Sequence, residues 1–349
     1  MDVKKNIIEQ IIKAGIAAPS ADNSQPSKFK SADNQIELYI DENRSGKLSD
    51  SRFLLSDIAI GCMTENMLIQ ANHLGYDGEL NFFPEGEESN PFYPIQIILN
   101  KSNHTESISP DSIFNRFTNR TFPWKGPLDA KFKNAIIEES GKIPSTNITW
   151  LNKAQKKQAT KALLLAESLR FSKQEFHQEL FSSIDFNTDW KTPTSENLAP
   201  ASLNVELPAR PVFKACRNWS TMKKLNWVGG AKMFGFRSTV LPTLLSPELS
   251  LISTSHKDRQ GIINAGRAIQ RAWLKATELG ISVHPMASPG VMSLNFFNKE
   301  YPEIKQIQQL MQLTPNSENG IVFLRMGISK TASEQYSKRR PIESFIVET

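Results

Sequence analysis

The 349-residue chain is poor in the residues that hold metals or staple small folds, with two cysteines, Cys62 and Cys216, and five histidines. Two cysteines so far apart match no metal-ligand spacing and fit a reducing compartment. No run of 18 apolar residues occurs, so no segment reads as a membrane span. The stretch from Met1 to Ser20 places basic residues ahead of an apolar segment, but Glu9 and Lys13 interrupt it and its isoleucines stand at helical spacing. It is therefore not read as an export signal. A cytoplasmic location is expected, in which Asn-x-Ser/Thr matches such as those at Asn103, Asn119, Asn147 and Asn218 have no glycosylation meaning. No Gly-x-Gly-x-x-Gly turn follows a strand candidate, which makes a Rossmann dehydrogenase a poor alternative. Strong charge of one sign is also missing: 41 basic and 36 acidic residues leave a net +5, scattered except at Ser337-Lys338-Arg339-Arg340. A nucleic-acid partner would call for a basic stripe within a known module, whereas a small anionic ligand accounts for one local cluster.

What is present is core material. Hydrophobic residues make up 39 %, with 20 Phe and 6 Trp, which excludes a disordered chain. At roughly 150 residues per domain the length corresponds to about 2.3 units.

Internal repetition divides the chain. Residues 57–76, DIAIGCMTENMLIQANHLGY, align with 262–281, IINAGRAIQRAWLKATELGI, so that Gly61 pairs with Gly266, Ala71 with Ala276, Leu74 with Leu279 and Gly75 with Gly280, all 205 positions apart. Both segments carry an apolar helical stripe rich in small residues and close on Leu-Gly. Upstream, 7–23 resembles 132–147, with Pro19-Ser20 matching Pro144-Ser145 and Asn23 matching Asn147 after a one-residue gap. Each half thus reads helix, Pro-Ser loop, strand (Gln35–Ile40 and Ile148–Leu151), helix, Leu-Gly, strand, with later strands at 94–99 and 321–327. Between about 181 and 247 the second half carries Pro193, Pro200, Pro208, Pro211 and Pro242 along with Trp190, Trp219 and Trp227, without periodicity. This is read as a lid-like insertion, the alternative being a surface excursion with local packing.

Four motifs, in order, resemble the FMN-dependent nitroreductases. Ala18-Pro19-Ser20-Ala21-Asp22-Asn23-Ser24-Gln25-Pro26 is similar to their Pro-Ser-Asn loop, with Ser27 where the family usually has Trp. Asn115-Arg116-Phe117-Thr118-Asn119-Arg120-Thr121-Phe122 resembles the motif that opens such chains, but lies a third of the way along. Leu279 to Met286 resembles the segment along the flavin ring, and Lys338 to Glu343 the closing segment. The tandem arrangement is most similar to the Acg-type branch.

The resemblance implies an α+β nitroreductase-like fold, with central, mainly antiparallel sheets flanked by helices and two fused halves forming a pseudo-dimer. Residues 1–110 would be a degenerate first half and 111–349 the half that holds one FMN. Arg116, Thr118 and Arg339 would take the FMN phosphate, and Arg guanidinium suits a phosphate dianion chemically; taken singly, each could equally be a surface salt-bridge residue. Arg120 would sit near N1 and the C2 carbonyl, where positive charge favours the reduced flavin. Pro285, Met286 and Ala287 would line the ring, while Ser20, Asn23 and Gln25 would reach the cofactor from the first half or form an ordinary turn. His284 is read as packed beside the strand end rather than as a catalytic acid, and no catalytic side chain is expected. The first half lacks both arginine anchors, so no second flavin is expected.

The implied activity is NAD(P)H-dependent reduction of a nitroaromatic, quinone or similar small-molecule acceptor. The chain would be a monomer with an internal pseudo-dimer, without nucleic-acid or membrane partners. Two other readings stand beside it: a flavin-storage protein with little turnover, and an interaction protein that has lost flavin.

Overall fold

The structure, a computed structural model, describes residues 5–296, 301–314, 318–330 and 335–347. The chain starts with helix α1, Lys5–Ile16, which buries Ile8, Ile11, Ile12, Gly15 and Ile16 on one stripe, the i, i+3, i+4 spacing of an amphipathic helix. Strands β1 (Ser27–Ala32) and β2 (Gln35–Ile40) pair antiparallel across a two-residue turn at Asp33-Asn34. Helix α2, Leu54–His73, follows, then β3, Tyr76–Phe82, and β4, Ile95–Lys101. The four strands form one antiparallel sheet in the order β1-β2-β4-β3. On β4 the alternation of Ile95, Ile97 and Leu99 with more exposed residues marks a half-buried strand.

A short helix, α3 (Asp111–Asn115), and a two-residue strand, β5 (Trp124–Lys125), lead into the second half. There α4 (Ala130–Ser140) precedes β6 (Thr146–Trp150), and a long excursion separates β6 from the next strand. Its elements are α5 (Lys153–Ser172), α6 (Gln174–Ser182), α7 (Arg210–Ala215), α8 (Trp219–Asn226), α9 (Gly230–Gly235) and α10 (Leu241–Leu244), the last two joined by a π-helical turn, Phe236–Val240. Then come β7 (Glu248–Thr254), α11 (Arg259–Glu278), β8 (Ser282–Met286), α12 (Ser288–Asn295), α13 (Glu303–Leu310) and β9 (Asn319–Ser329). All pairings of this sheet are antiparallel, and β6-β7-β9-β8 reproduces the order β1-β2-β4-β3 of the first sheet, with β5 added at the far end of β9. The expected α+β class with antiparallel sheets flanked by helices is what the structure shows.

This topology refines the correspondence between the halves. In strand order, Thr146–Trp150 matches Ser27–Ala32 rather than Gln35–Ile40, whose counterpart is Glu248–Thr254. The two-residue turn of the first half is therefore replaced by everything from 151 to 247. Helices α5 and α6 precede the unperiodic stretch read from the sequence. Phe171, Phe181, Phe213, Phe234 and Trp219 pack the excursion around an aromatic cluster of its own.

The repeated helices cross at their repeated glycines. A Cβ on Gly61 would run into the carbonyl oxygen of Ile263, and one on Gly266 into that of Ile58. Ile58 and Ile263 are themselves 205 positions apart, so the contact is reciprocal, as in a two-fold interface. Around the crossing lie buried polar pairs. The Gln270 amide donates to Asn66 Oδ1 at 2.6 Å, and Arg259 forms a bidentate bridge to Asp57 at 2.8 and 2.9 Å. Arg267 and Arg271 both bond Glu65. The C-terminal segment then crosses to the first sheet: Phe29 N donates to Phe345 O and Val347 N to Phe29 O, covering the free edge of β1.

Candidate functional site

The loop after α1 begins where that helix runs out of partners for its last carbonyls. Asp22, Asn23 and Gln25 all take positive φ, 52°, 57° and 50°, and Asn and Asp are the residues that tolerate this best without glycine. The Ser20 hydroxyl accepts the Gln25 N–H at 2.9 Å and holds the loop in shape. Asn23 donates to the carbonyls of Asn197 and Lys338 and accepts from Arg339 at 2.9 Å. Gln25, fully buried, donates to Ser195 O at 2.7 Å and accepts from Arg340 N at 3.0 Å. The loop is therefore a clasp that fastens both the excursion and the C-terminal segment.

Next to it stand two guanidinium groups without a carboxylate partner among the described residues. Arg339 caps the end of α1: its Nε and Nη2 donate to Ile16 O and Ala18 O, and its Nη1 to Asn23. A cation is favoured at a helix C-terminus. Arg116, in the extended residue that ends α3, lies 4.5 Å over the Trp273 ring and donates to Ala17 O at 2.9 Å, while its buried Nε has no partner. Burial and the charge of Arg339 push the Arg116 guanidinium down to about 9; burial alone takes Arg339 to about 10. Both stay charged at neutral pH, and their charge is held out of water with little compensation.

A second cationic group lies deeper. Arg120 donates to Ser202 O at 3.2 Å, and burial lowers its pKa. Arg325, fully buried on β9, stacks 3.7 Å from the Trp124 ring centre and donates to Ser246 Oγ and the carbonyls of Asn119 and Thr121. Burial and then Arg120 lower it to about 9. Between them His284 has an unpartnered buried Nδ1 and is held well below its usual range by burial, Arg325 and Arg120, so its imidazole is neutral at pH 7.

All of these groups except Arg325, which lies behind His284, line a hollow made of two adjoining pockets that meet at Ser20, Thr118 and Arg120. Ser20, Asn23, Arg116, Thr118, Arg120 and Arg339 line its polar end. The main cavity, about 430 Å³, continues past Ser20, Thr118 and Arg120 to His284, Pro285, Met286 and Ala287. Its walls include Ile58, Ala59 and Cys62 of α2, Ile269 and Trp273 of α11, and Phe171, Phe213 and Phe234 of the excursion. That volume falls within the range of small-molecule and cofactor sites, which are mostly apolar with a few placed polar groups. The first turn of α12 closes one wall, with Gly290 set so tightly against β9 that a Cβ would meet Ile321 O.

Of the ten residues singled out in the sequence, nine line this hollow and one does not. Gln25 turns into the clasp, with its amide committed to Ser195, Asn23 and Arg340. Asn23 reaches the wall, yet its amide and carbonyl are already bonded. Arg339 has most of its donors on carbonyls, so Arg116 and Thr118 are the freer members of that group. Arg325 stands inside the apolar run Ile321–Ile328, where no motif marks it in the sequence.

No family model matches the chain. The acg protein of Mycobacterium tuberculosis (strain H37Rv), to which NAD(P)H nitroreductase activity is ascribed by name only, is 23 % identical over 207 residues, 58 % of this chain. The chain spans 59 % of the length of that curated relative. Among solved structures, a Bacteroides fragilis nitroreductase with bound FMN is 14 % identical, with 66 % of this chain and 93 % of that one covered and a TM-score of 0.36. A BluB-like flavoprotein of Clostridium difficile 630 is 15 % identical, covering 68 % and 97 %, with a TM-score of 0.37.

Proposed function

We propose that the chain binds one FMN in this hollow and is an oxidoreductase of nitroreductase type, reducing nitroaromatic, quinone or similar acceptors at the expense of NAD(P)H. The observation that carries the reading is the set of four buried or half-buried arginines, Arg116, Arg120, Arg325 and Arg339, on or behind one cavity wall with no carboxylate partner among the described residues. Asp22 is the one carboxylate that lines the polar end with them, and it acts on Arg120 without bonding it. Cations that outnumber it in this way fit an anionic ligand, and the unpartnered Nε of Arg116 offers it a donor. The residues present therefore suit a phosphate at one end and an electron-rich ring carbonyl at the other. The name carried by the acg relative points the same way.

Arg116 and Thr118 would hold the phosphate, with Arg339 adding charge. Arg120, backed by Arg325, would favour negative charge at the ring, and the 285–287 segment would give the ring an apolar bed. Bound FMN supplies hydride and electron-transfer chemistry; the side chains bind, orient and exclude water. His284, neutral beside two guanidinium groups, would act there as a hydrogen-bonding group and not as a cation. Both crossed helices, α2 and α11, contribute lining residues, so the site would need both halves of the pseudo-dimer.

The clasp supports a second reading, flavin storage. Gln25 and Asn23 tie the 194–197 segment down, Arg44 grips Glu196 with two bonds of 2.9 Å, and Thr194 is bonded to the backbone of Tyr336 and Lys338. A roof fastened at so many points would slow the entry of nicotinamide. Anaerobic titration of the FMN-loaded protein separates the readings. Bleaching by NADH or NADPH and reoxidation by a nitroaromatic is the result expected for the enzyme. Bleaching by dithionite alone would identify storage, and a protein that takes up no FMN would exclude both.

A further inference from the structure

Between Leu207 and Pro247 the chain has seven basic residues and no acidic one, while the remainder has 34 basic and 36 acidic residues. The positive balance of the whole protein thus resides in the roof of the cavity. Lys214, Arg217, Lys223, Lys224 and Lys232 are exposed, and none has a carboxylate partner among the described residues. Of the other two, Arg237 pairs with Glu206 and Arg210 stacks on Trp190.

The same segment exposes its largest apolar side chains. Trp227 and Val228, at the turn between α8 and α9, are 83 % and 82 % exposed. Met233, Phe236 and Leu244 follow along the helical run from α9 to α10, with Leu207 and Val212 nearby in sequence, and all are exposed. Adjacent Trp and Val at a turn tip, flanked by lysines, are not explained by packing, since the inward side chains Phe213, Met222 and Phe234 already fill the aromatic cluster.

We propose that this outer face of the roof docks on an anionic lipid bilayer. Apolar side chains that enter the headgroup region beside lysines that meet anionic lipid are the physical requirements for such binding. A second copy of the chain fits less well, because a two-fold contact would set this face against itself and bring like charges together. Nucleic acid fits less well too, because most of the exposed apolar residues are aliphatic and offer no stacking platform. No helix among the described residues is long and apolar enough to cross a membrane, and surface docking requires none. The proposal is independent of the flavin reading: either can fail while the other stands.

The test is co-sedimentation of the full chain with vesicles of phosphatidylcholine alone or of equal parts phosphatidylcholine and phosphatidylglycerol. Binding is expected only to the anionic vesicles, weakening as salt is raised. The double variants Trp227→Ser/Val228→Ser and Lys223→Glu/Lys224→Glu should each lower the partition coefficient by roughly tenfold or more. Trp227→Phe should keep binding but lose the blue shift of tryptophan emission seen when vesicles are added to the wild type. All these positions are exposed, and an unchanged near-UV circular dichroism spectrum verifies the fold. Absence of binding to anionic vesicles, or binding unaffected by both double variants, overturns the proposal. So does binding confined to oligonucleotides, or a solution dimer that Trp227→Ser/Val228→Ser dissociates.

Discussion

At Arg116 a buried guanidinium has one carbonyl, one indole face and a second cation for neighbours. Its role is tested by substitution. If Arg116 holds the phosphate as proposed, Arg116→Ala would remove a charge-assisted contact of about 1.5–3 kcal/mol, so FMN affinity should fall roughly 10- to 100-fold. Arg116→Lys should recover only part of this, because an ammonium lacks the planar fork. Fluorescence titration with FMN measures both. Arg116 and Arg120 were legible in the sequence through a motif; Arg325 was not, because one charged residue within a core strand carries no motif. The clasp roles of Asn23 and Gln25 were also hidden, since their partners Asn197, Ser195 and Lys338 lie 170 or more positions away.

Helices α2 and α11 show how far the repeat could be read. Their matching glycines were visible at a fixed offset, and small residues implied close approach. The reciprocal seating of Gly61 on Ile263 and Gly266 on Ile58 is the geometry of that close approach. Because each Cβ would strike backbone rather than a flexible side chain, Gly61→Ala and Gly266→Ala should each destabilise the protein by about 1–3 kcal/mol or more, measurable by urea unfolding. Nearby, Arg271 bonds Glu65, Glu106 and Glu139, all at 2.6–2.7 Å in their shortest contacts. Burial pushes the Glu106 carboxyl up, but Arg271 and Ser107 more than reverse this and bring it to about 2. A carboxylate depressed in the folded state adds stability above its unfolded pKa, near 4.5, and loses it as pH falls toward 2. Acid unfolding should therefore steepen within that window. Arg271→Met should destabilise at neutral pH by about 3 kcal/mol or more, because two buried carboxylates and one half-buried one lose a shared partner, leaving Glu65 with Arg267 and Glu139 with Lys142, and should flatten the pH dependence. Differential scanning calorimetry from neutral to acid pH checks both. Helix α5 and the true start of the excursion were not read because the prolines and tryptophans further on drew the boundary to 181.

On the scale of the molecule, the C-terminal segment of the second half edges the first sheet, and the cavity takes walls from both repeated helices and a roof from the excursion. The α+β class was legible through the family resemblance and the two-half division through repetition, whereas β1, β7 and the strand order within each sheet were not read. How the halves embrace was not legible either, because it depends on contacts hundreds of residues apart. Fastening of the roof should control exchange: Gln25→Ala removes the buried bonds to Ser195 and Arg340, should speed FMN release several-fold as read by stopped-flow dilution, and should cost about 1–3 kcal/mol of stability. The central claim is one FMN per chain, held by the arginines of a two-half site. Titration of flavin-free protein with FMN, followed by fluorescence quenching in the wild type and in Arg116→Ala, tests it most directly. The account predicts saturation at one FMN per chain and an affinity at least roughly tenfold weaker in the variant. No saturable binding, two FMN per chain, or an unchanged affinity in Arg116→Ala would contradict it.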